Sequence, residues 1–147
     1  MNRWIAETDF IWCPGCPLSW GIMALSQAFT QLGLKREKTW VVSGIGCTGR
    51  MANYFSCHSA HTTHGRAVPV AEGIKLADTS KDVFVVSGDG DLLSIGLSHL
   101  IHAARRNTPI KVICFNNSVY AMTGGQTSPT TPTGAPTETH PLSLIHI

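Results

Sequence analysis

The feature that most constrains the fold is a strand–helix–strand unit in the second half of the chain. Residues 83–87 are a short run rich in β-branched side chains, which is typical of a buried strand. Five apolar residues then recur at the spacing of an amphipathic helix: Leu93, Leu97, Leu100, Ile101 and Ala104. A second apolar run, 110–115, follows Pro109. Strands joined in this way lie parallel in one sheet, so the sequence predicts an α/β fold with a mostly parallel sheet.

Earlier segments extend the same pattern. A helix is predicted over 19–32, with one apolar face and a stop at Gly33. That face is formed by Ile22, Leu25, Phe29 and Leu32. A strand over 39–43 leads into a glycine-rich turn, the polar stretch 48–66 is predicted to be a functional loop, and 68–77 is predicted to be a helix. After Asn117 the chain is rich in Thr, Pro and Gly.

Composition and charge exclude several functions. Charged residues make up 14% of the chain and hydrophobic residues 43%, a balance that argues against disorder. The net charge of +2 includes no basic run, so nucleic acid is not an expected partner. No apolar run approaches the ~20 residues of a membrane helix, and the first ten residues lack a signal-peptide stretch. We therefore expect a cytoplasmic protein whose cysteines bind metals or react.

Two polar residues follow the two strands of the strand–helix–strand unit. Asp89 comes directly after the first strand and Asn117 after the second. Because parallel strands end at the same edge of a sheet, we expect these side chains to meet where open α/β sheets bind ligands. With the Val119 carbonyl they would offer the hard oxygen donors that suit Mg²⁺, and a diphosphate and water would complete its shell. The simpler alternative is that each segment is only a turn, with Asp91 as a helix N-cap.

The sequences of five motifs resemble those of one enzyme family. Gly88-Asp89-Gly90, followed one helix and one strand later by Asn116-Asn117, is similar to the diphosphate-binding motif of thiamine-diphosphate enzymes. The longer set resembles the β subunit of 2-oxoacid:ferredoxin oxidoreductases, the 2-oxoglutarate type most closely. It consists of five motifs, which are Trp12-Cys13-Pro14-Gly15-Cys16, Ile45-Gly46-Cys47, His64-Gly65-Arg66-Ala67, Gly88-Asp89-Gly90-Asp91 and the stretch 117–126, which continues into 128–131. The similarity runs in order from residue 12 to residue 132.

The resemblance implies a fold and a set of cofactor contacts. The implied fold is the thiamine-diphosphate-binding fold, here incomplete, with helices flanking the sheet. Mg²⁺ would be bound by Asp89, Asn117 and the Val119 carbonyl. Thiamine diphosphate would contact eight residues: Ile45, Gly46, Cys47, Thr48, Gly90, Asp91, Ala121 and Met122.

Two cysteines have a spacing shared by iron–sulfur and zinc sites, Cys13-x-x-Cys16. The resemblance implies that both bind a [4Fe–4S] cluster together with Cys47 and a fourth Cys that this sequence lacks. Cys57 and Cys114 do not match that fourth ligand, and Cys114 is expected to be a small buried residue in a strand. The alternative is a zinc site of Cys13, Cys16 and Cys57 with one loop histidine: His58, His61 or His64.

The implied reaction is oxidative decarboxylation of a 2-oxoacid, with 2-oxoglutarate favoured, to acyl-CoA and CO₂, with electrons passing through the cluster to ferredoxin. His64 is a candidate catalytic residue that would orient a substrate carboxylate or carry a proton, with packing in its loop as the alternative. The pyrimidine-binding half of a thiamine enzyme is not recognised here, so an α subunit is an expected partner. Two other functions stay open: a non-redox thiamine-diphosphate decarboxylase or synthase, and a non-catalytic zinc-binding module.

The domain organisation follows from the same resemblance. Residues 1–132 are predicted to be the N-terminal part of a diphosphate-binding domain, because the family's β subunit is longer than this chain. Residues 133–147 are predicted to be an irregular tail. Its last residues, from 141, fit no part of the family pattern and resemble read-through sequence.

Overall fold

The computed structural model describes residues 4–140, which form a four-stranded parallel sheet and a small antiparallel hairpin. The main sheet has the order β2-β1-β3-β4, formed by Thr39–Ser43 (β1), His58–His61 (β2), Asp82–Gly88 (β3) and Lys111–Phe115 (β4). The helices are Pro17–Gln31 (α1), Ala67–Ala77 (α2) and Leu97–Arg105 (α3). The hairpin pairs Val119–Tyr120 (β5) with Gln126–Thr127 (β6). The predicted α/β fold with a mostly parallel sheet is confirmed.

Helices cover both faces of the sheet. Because successive side chains of a strand point to opposite faces, Val41 and Val42 of β1 belong to different hydrophobic clusters. The first cluster is aromatic and includes Trp4 and Phe29, the latter from α1. The second packs aliphatic side chains of α2 and α3 against β1 and β3. Burial on both faces explains why β1 and β3 read as continuous apolar runs.

Helix α1 matches its predicted span within two residues. Pro17 occupies the first turn, where its missing N–H costs no hydrogen bond. Gly33, at φ +64°, takes the left-handed conformation that ends many helices, as predicted. Leu32 was assigned to the buried face and is 68% exposed instead, because it caps the helix and lies outside the last buried turn.

The polar stretch 48–66 contains regular structure that the sequence did not indicate. A 3₁₀ helix covers Thr48–Tyr54, and β2 pairs in parallel with β1. In the described sheet β2 is an edge strand, and three of its four residues are exposed. It therefore has no apolar alternation to mark it as a strand. The prediction of a loop throughout this stretch is wrong.

The segment after β3 departs from the predicted amphipathic helix. The backbone is helical from Asp89, passes through a π-helix at Asp91–Ile95, and becomes α-helical at Leu97. A π turn holds an extra residue, so side chains before and after it no longer share one face. Leu97 and Ile101 are consequently 40% and 54% exposed. Asp91 lies inside the π-helix and is not its N-cap.

Two further predictions concern the second half of the chain. Cys114 lies on β4, at the edge of the described sheet, and is exposed, so the expectation of a buried residue is wrong. Residues 133–140 contain neither helix nor strand, and the predictions for 141–147 lie outside the described residues. Within 4–140, no helix is both long enough and apolar enough to cross a membrane.

Candidate functional site

A pocket lies at the carboxyl edge of the sheet, where β1, β3 and β4 end. It is lined by all eight residues that the resemblance assigns to thiamine diphosphate, by the three implied Mg²⁺ ligands and by His64. The parallel register explains this convergence, because Ser43 pairs with Val86 and Gly88 pairs with Phe115. The turns that follow the three strands therefore open on one edge.

Among the three implied metal ligands, Asn117 contacts both of the others. Asp89 is only 1% exposed, and its Oδ1 accepts the Asn117 backbone N–H at 3.4 Å. The side-chain amide of Asn117 lies 3.0 Å from Asp89 Oδ1 and 2.8 Å from the Val119 carbonyl oxygen. Residues separated by 28 positions in sequence thus meet at one point, as the topology predicts.

The Asn117 amide has two orientations with different consequences. With its NH₂ group inward it donates to both Asp89 and the Val119 carbonyl. With its oxygen inward, that oxygen lies 3.0 Å from Asp89 Oδ1 and 2.8 Å from the Val119 carbonyl oxygen, without a proton between them. That arrangement is repulsive unless a cation lies among the oxygens. Oxygens of an octahedral Mg²⁺ shell, at ~2.1 Å from the ion, are about 3 Å apart, so the donor set fits Mg²⁺.

The helical segment that starts at Asp89 faces the same pocket with its N-terminal end. The first N–H groups of a helix have no partner within the helix and favour a bound anion. Gly90 allows this end to pack closely, since a Cβ at this position would clash with the ring of Tyr120. The Tyr120 hydroxyl donates to the Gly90 carbonyl at 3.1 Å. This arrangement suits a diphosphate beside a divalent cation.

The carboxylate of Asp91 holds the walls of the pocket together. It is buried and accepts hydrogen bonds from the backbone N–H groups of Ile45 (3.2 Å) and Gly65 (2.7 Å) and from the Ser87 hydroxyl. Its Oδ1 also lies 2.5 Å from Nδ1 of His64. The Asp91 side chain therefore has four protein partners.

His64 is fixed by this contact and remains partly open to the pocket. Its side chain is 30% exposed, and its ring packs edge-on against Tyr120 with centroids 6.2 Å apart. A carboxylate at Nδ1 favours the tautomer that carries its proton there and leaves Nε2 to act as an acceptor or base. The neighbouring Arg66 is exposed and donates to the Gly65 carbonyl at 3.4 Å.

The N-terminal Cys-x-x-Cys loop lies beside the turn that carries Cys47. The Trp12 indole N–H donates to the Cys47 carbonyl at 2.7 Å, and Cys16 N–H donates to the Cys13 carbonyl at 3.0 Å. Burial, followed by the nearby Cys16 and Cys13 thiols, raises the pKa of the Cys47 thiol. A bound metal would instead lower the pKa of the Cys47 thiol, because cysteine binds a metal as the thiolate.

The other cysteines and histidines have different surroundings. Burial raises the pKa of the Cys57 thiol to about 11, which makes it a poor thiolate donor at neutral pH. His58 stacks on Trp40 with ring centroids 4.9 Å apart. Across residues 4–140, no three Cys, His, Asp or Glu side chains converge as they would around a single ion. A cubane cluster binds each thiolate at a separate iron, so its ligands need not converge on one point.

Sequence reasoning missed three residues at the site. Tyr120 and Thr123 line the pocket, and the Thr130 hydroxyl donates to Oδ2 of Asp89 at 2.7 Å. All three lie in the motif stretches 117–126 and 128–131, but nothing in the residue types assigned them a role. No sequence pattern could have indicated the role of Thr130, because that role depends on a contact between residues 41 positions apart.

Comparison with known proteins agrees with this geometry. Residues 31–145 match the family described as thiamine pyrophosphate enzyme, C-terminal TPP binding domain. The chain belongs to the thiamine pyrophosphate enzyme family. This membership confirms the predicted thiamine-diphosphate fold.

The similar proteins include β subunits of the predicted class. The chain is 51% identical to the 2-oxoglutarate synthase subunit KorB of Archaeoglobus fulgidus, over 92% of this chain and 50% of the relative. It is 45% identical to the 2-oxoglutarate oxidoreductase subunit KorB of Mycobacterium tuberculosis, over 96% of this chain and 38% of the relative. The resemblance to 2-oxoacid:ferredoxin oxidoreductase β subunits is thus confirmed.

A solved structure matches the fold closely. The 2-oxoglutarate:ferredoxin oxidoreductase of Magnetococcus marinus, with 2-oxoglutarate, coenzyme A and succinyl-CoA bound, has a TM-score of 0.94 at 36% identity. The match covers 99% of this chain and 51% of that one. The chain spans about half the length or less of these relatives.

Proposed function

We propose that this chain is the diphosphate-binding part of the β subunit of a cytoplasmic 2-oxoacid:ferredoxin oxidoreductase. The enzyme oxidises a 2-oxoacid, 2-oxoglutarate by preference, to acyl-CoA and CO₂ and reduces ferredoxin. The observation that carries the proposal is the meeting of Asp89, Asn117 and the Val119 carbonyl at one point beside a helix N-terminus. The preference for 2-oxoglutarate is supported by the names of the similar proteins.

The residues of the pocket have separate roles in this proposal. Asp89, Asn117 and Val119 hold Mg²⁺, and the turn at Ile45–Thr48 with the Gly90 and Ala121–Met122 segments holds thiamine diphosphate. When bound, the cofactor supplies the nucleophilic carbon and the electron sink that decarboxylation needs. The protein supplies position, charge and exclusion of water.

His64 is the protein group proposed to act on the substrate. Its Nδ1 is held by Asp91 at 2.5 Å, so the ring has a fixed direction and Nε2 is left to accept or donate one hydrogen bond. From this position it orients the substrate carboxylate or carries a proton. The α subunit is proposed to supply the pyrimidine-binding half and complete the catalytic unit.

The three cysteines are proposed to bind a [4Fe–4S] cluster with a fourth ligand from outside this chain. Support comes from the hydrogen bond between Trp12 and the Cys47 carbonyl, and from the thiols of Cys13 and Cys16 that raise the pKa of Cys47. Since Cys47 also lines the pocket, one short turn joins the cluster ligands to the cofactor residues. This closeness suits electron transfer between the two groups.

The experiment that tests the function compares cysteine variants in the complete assembly. The full-length β subunit is purified with its α subunit without oxygen, and reduction of ferredoxin is followed with 2-oxoglutarate and coenzyme A. We expect reduction by the wild type. In the C13S/C16S double variant we expect a loss of more than about 100-fold together with loss of bound iron, since the cluster would lack two thiolates.

Cys114 provides the matched control, because it is exposed on β4 and belongs to no proposed ligand set. C114S is expected to keep its iron and its rate. A double variant that lost its iron but still released CO₂ at the wild-type rate would favour the non-redox decarboxylase. A wild-type assembly that reduced no ferredoxin with any 2-oxoacid would contradict the proposal.

A further inference from the structure

The turn at residues 128–131 folds back onto the candidate metal site. Ser128 and Thr131 are almost fully buried there. The Ser128 backbone N–H donates to the Thr131 hydroxyl at 2.9 Å, and the Thr131 backbone N–H donates to the Ser128 carbonyl at 3.2 Å. These two hydrogen bonds close the turn on itself and give the side chains at 130 and 131 fixed directions.

Both threonine side chains of this turn contact the segments that carry the metal ligands. The Thr130 hydroxyl donates to Asp89 Oδ2 at 2.7 Å, and the Thr131 hydroxyl donates to the Ser118 carbonyl at 2.5 Å. Ser118 lies between Asn117 and Val119 and has a φ of +62°, an uncommon conformation for a residue with a side chain. Thr131 therefore stabilises the strained loop at Ser118, and Thr130 stabilises the Asp89 carboxylate.

The contact with Thr130 determines which Asp89 oxygen is available to a cation. A carboxylate is free to rotate about its Cβ–Cγ bond unless one oxygen is held. Thr130 holds Oδ2, and Oδ1 is then the oxygen that faces the Asn117 amide. Because Asp89 is 1% exposed, water has little access to replace this hydrogen bond if it is removed.

The Thr130 hydroxyl has a second acceptor within reach but only one proton. Asn116 Oδ1 also lies 2.7 Å from Thr130 Oγ1, and it already accepts the Ser118 backbone N–H at 2.9 Å. Hydrogen bonds to an ionised carboxylate are about twice as strong as those between neutral groups. The proton is therefore expected to favour Asp89.

We propose that Thr130 is a positioning residue of the divalent-cation site. Its hydroxyl fixes the Asp89 carboxylate, so that one oxygen points to the cation shared with Asn117 and Val119. The inference rests on the proposed function, since it concerns the cation that binds thiamine diphosphate there. Ligand-orienting partners of this kind change metal affinity by about 10–100-fold when they are removed.

The test measures cation binding directly. Mn²⁺, a paramagnetic substitute for Mg²⁺, is titrated into the metal-free assembly of the full-length protein with saturating thiamine diphosphate, and free Mn²⁺ is measured by electron paramagnetic resonance. T130V replaces the hydroxyl by a methyl group of similar shape and is expected to weaken Mn²⁺ binding by about tenfold or more. T130S, which keeps the hydroxyl, is expected to stay within about threefold of the wild type.

Thr133 provides the matched control, because it is exposed and lies two residues beyond the closed turn. T133V is expected to bind Mn²⁺ as the wild type does. If T130V fails to fold, T130A removes the same hydroxyl with less steric change, and the comparison with T130S is made with that variant.

The outcomes separate the two levels of the proposal. A wild-type assembly without a Mn²⁺ site that depends on thiamine diphosphate would contradict the proposed function. A wild type that binds Mn²⁺ while T130V or T130A binds it equally well would overturn the role of Thr130 alone. Weakened binding in the hydroxyl-free variant with recovery in T130S supports it.

Discussion

Replacement of Asp89 by alanine is expected to abolish binding of thiamine diphosphate at physiological Mg²⁺ concentrations. Asp89 is the one charged side chain among the three oxygen donors, and without it the site keeps only a neutral amide and a carbonyl. We expect the dissociation constant for the cofactor to rise by more than about 100-fold, beyond the ~10–100-fold typical of a ligand-orienting residue. Titration calorimetry of the full-length assembly with the cofactor and Mg²⁺ measures this change.

Asp82 provides the control for this variant at the opposite end of the same strand. It lies at the start of β3 and forms an ion pair with Lys111 on the surface. D82N is expected to bind the cofactor with unchanged affinity, because surface ion pairs contribute little and the site is at the other end of the strand. Cofactor affinity of D89A within threefold of the wild type would exclude Asp89 as a metal ligand.

Replacement of Asp91 by alanine is expected to cause a large loss of stability. The variant would leave the N–H groups of Ile45 and Gly65 and the hydroxyl of Ser87 without their buried acceptor. An unsatisfied buried group costs ~1–3 kcal/mol, so a total of about 3–5 kcal/mol is expected after partial relaxation. At ~2–4 °C per kcal/mol, the thermal midpoint would fall by roughly 6–20 °C.

Differential scanning calorimetry of the full-length protein measures that midpoint. D91N keeps one acceptor oxygen and is expected to fall between D91A and the wild type. D9N is the control, because Asp9 is exposed, and surface substitutions usually change stability by less than ~0.5 kcal/mol. A D91A midpoint equal to that of D9N would show that the four contacts of the Asp91 carboxylate do not stabilise the fold.

The sequence predicted those parts of the fold and the site that depend on topology. The two apolar runs at 83–87 and 110–115 are neighbouring parallel strands, and their composition indicates strands directly, although only the first is buried on both faces. Once they are parallel, Asp89 and Asn117 must leave the sheet at one edge, whatever the details of the turns. The meeting of their side chains follows from this constraint and did not require knowledge of any side-chain conformation.

The missed features depend on contacts that leave no local pattern. Strand β2 lies at an edge with exposed side chains, so neither of its faces requires apolar residues. The π turn after Asp91 inserts a residue that a regular helical pattern cannot indicate, and it moves Leu97 and Ile101 to the surface. Cys114 looked like a core residue because its strand is apolar, but the strand is at the edge.

The site residues divide in the same way. The cofactor contacts were inferred from the similarity of the motifs to a known family. The hydrogen bonds of Asp91 and Thr130 could be identified only from the three-dimensional structure. Asp91 was assigned to the cofactor, but its carboxylate is occupied by segments 26 to 46 residues away in sequence. Thr130 reaches Asp89 only because the hairpin β5–β6 returns the chain to the end of β3.

The most direct measurement is an anomalous-difference map from crystals of the full-length assembly grown with Mn²⁺ and thiamine diphosphate. We expect one strong peak within about 2.0–2.3 Å of Asp89 Oδ1, Asn117 Oδ1 and the Val119 carbonyl oxygen, near the Mg²⁺ distance of ~2.1 Å. A map with the diphosphate ordered but the manganese bound elsewhere, or bound without Asp89 and Asn117, would contradict it.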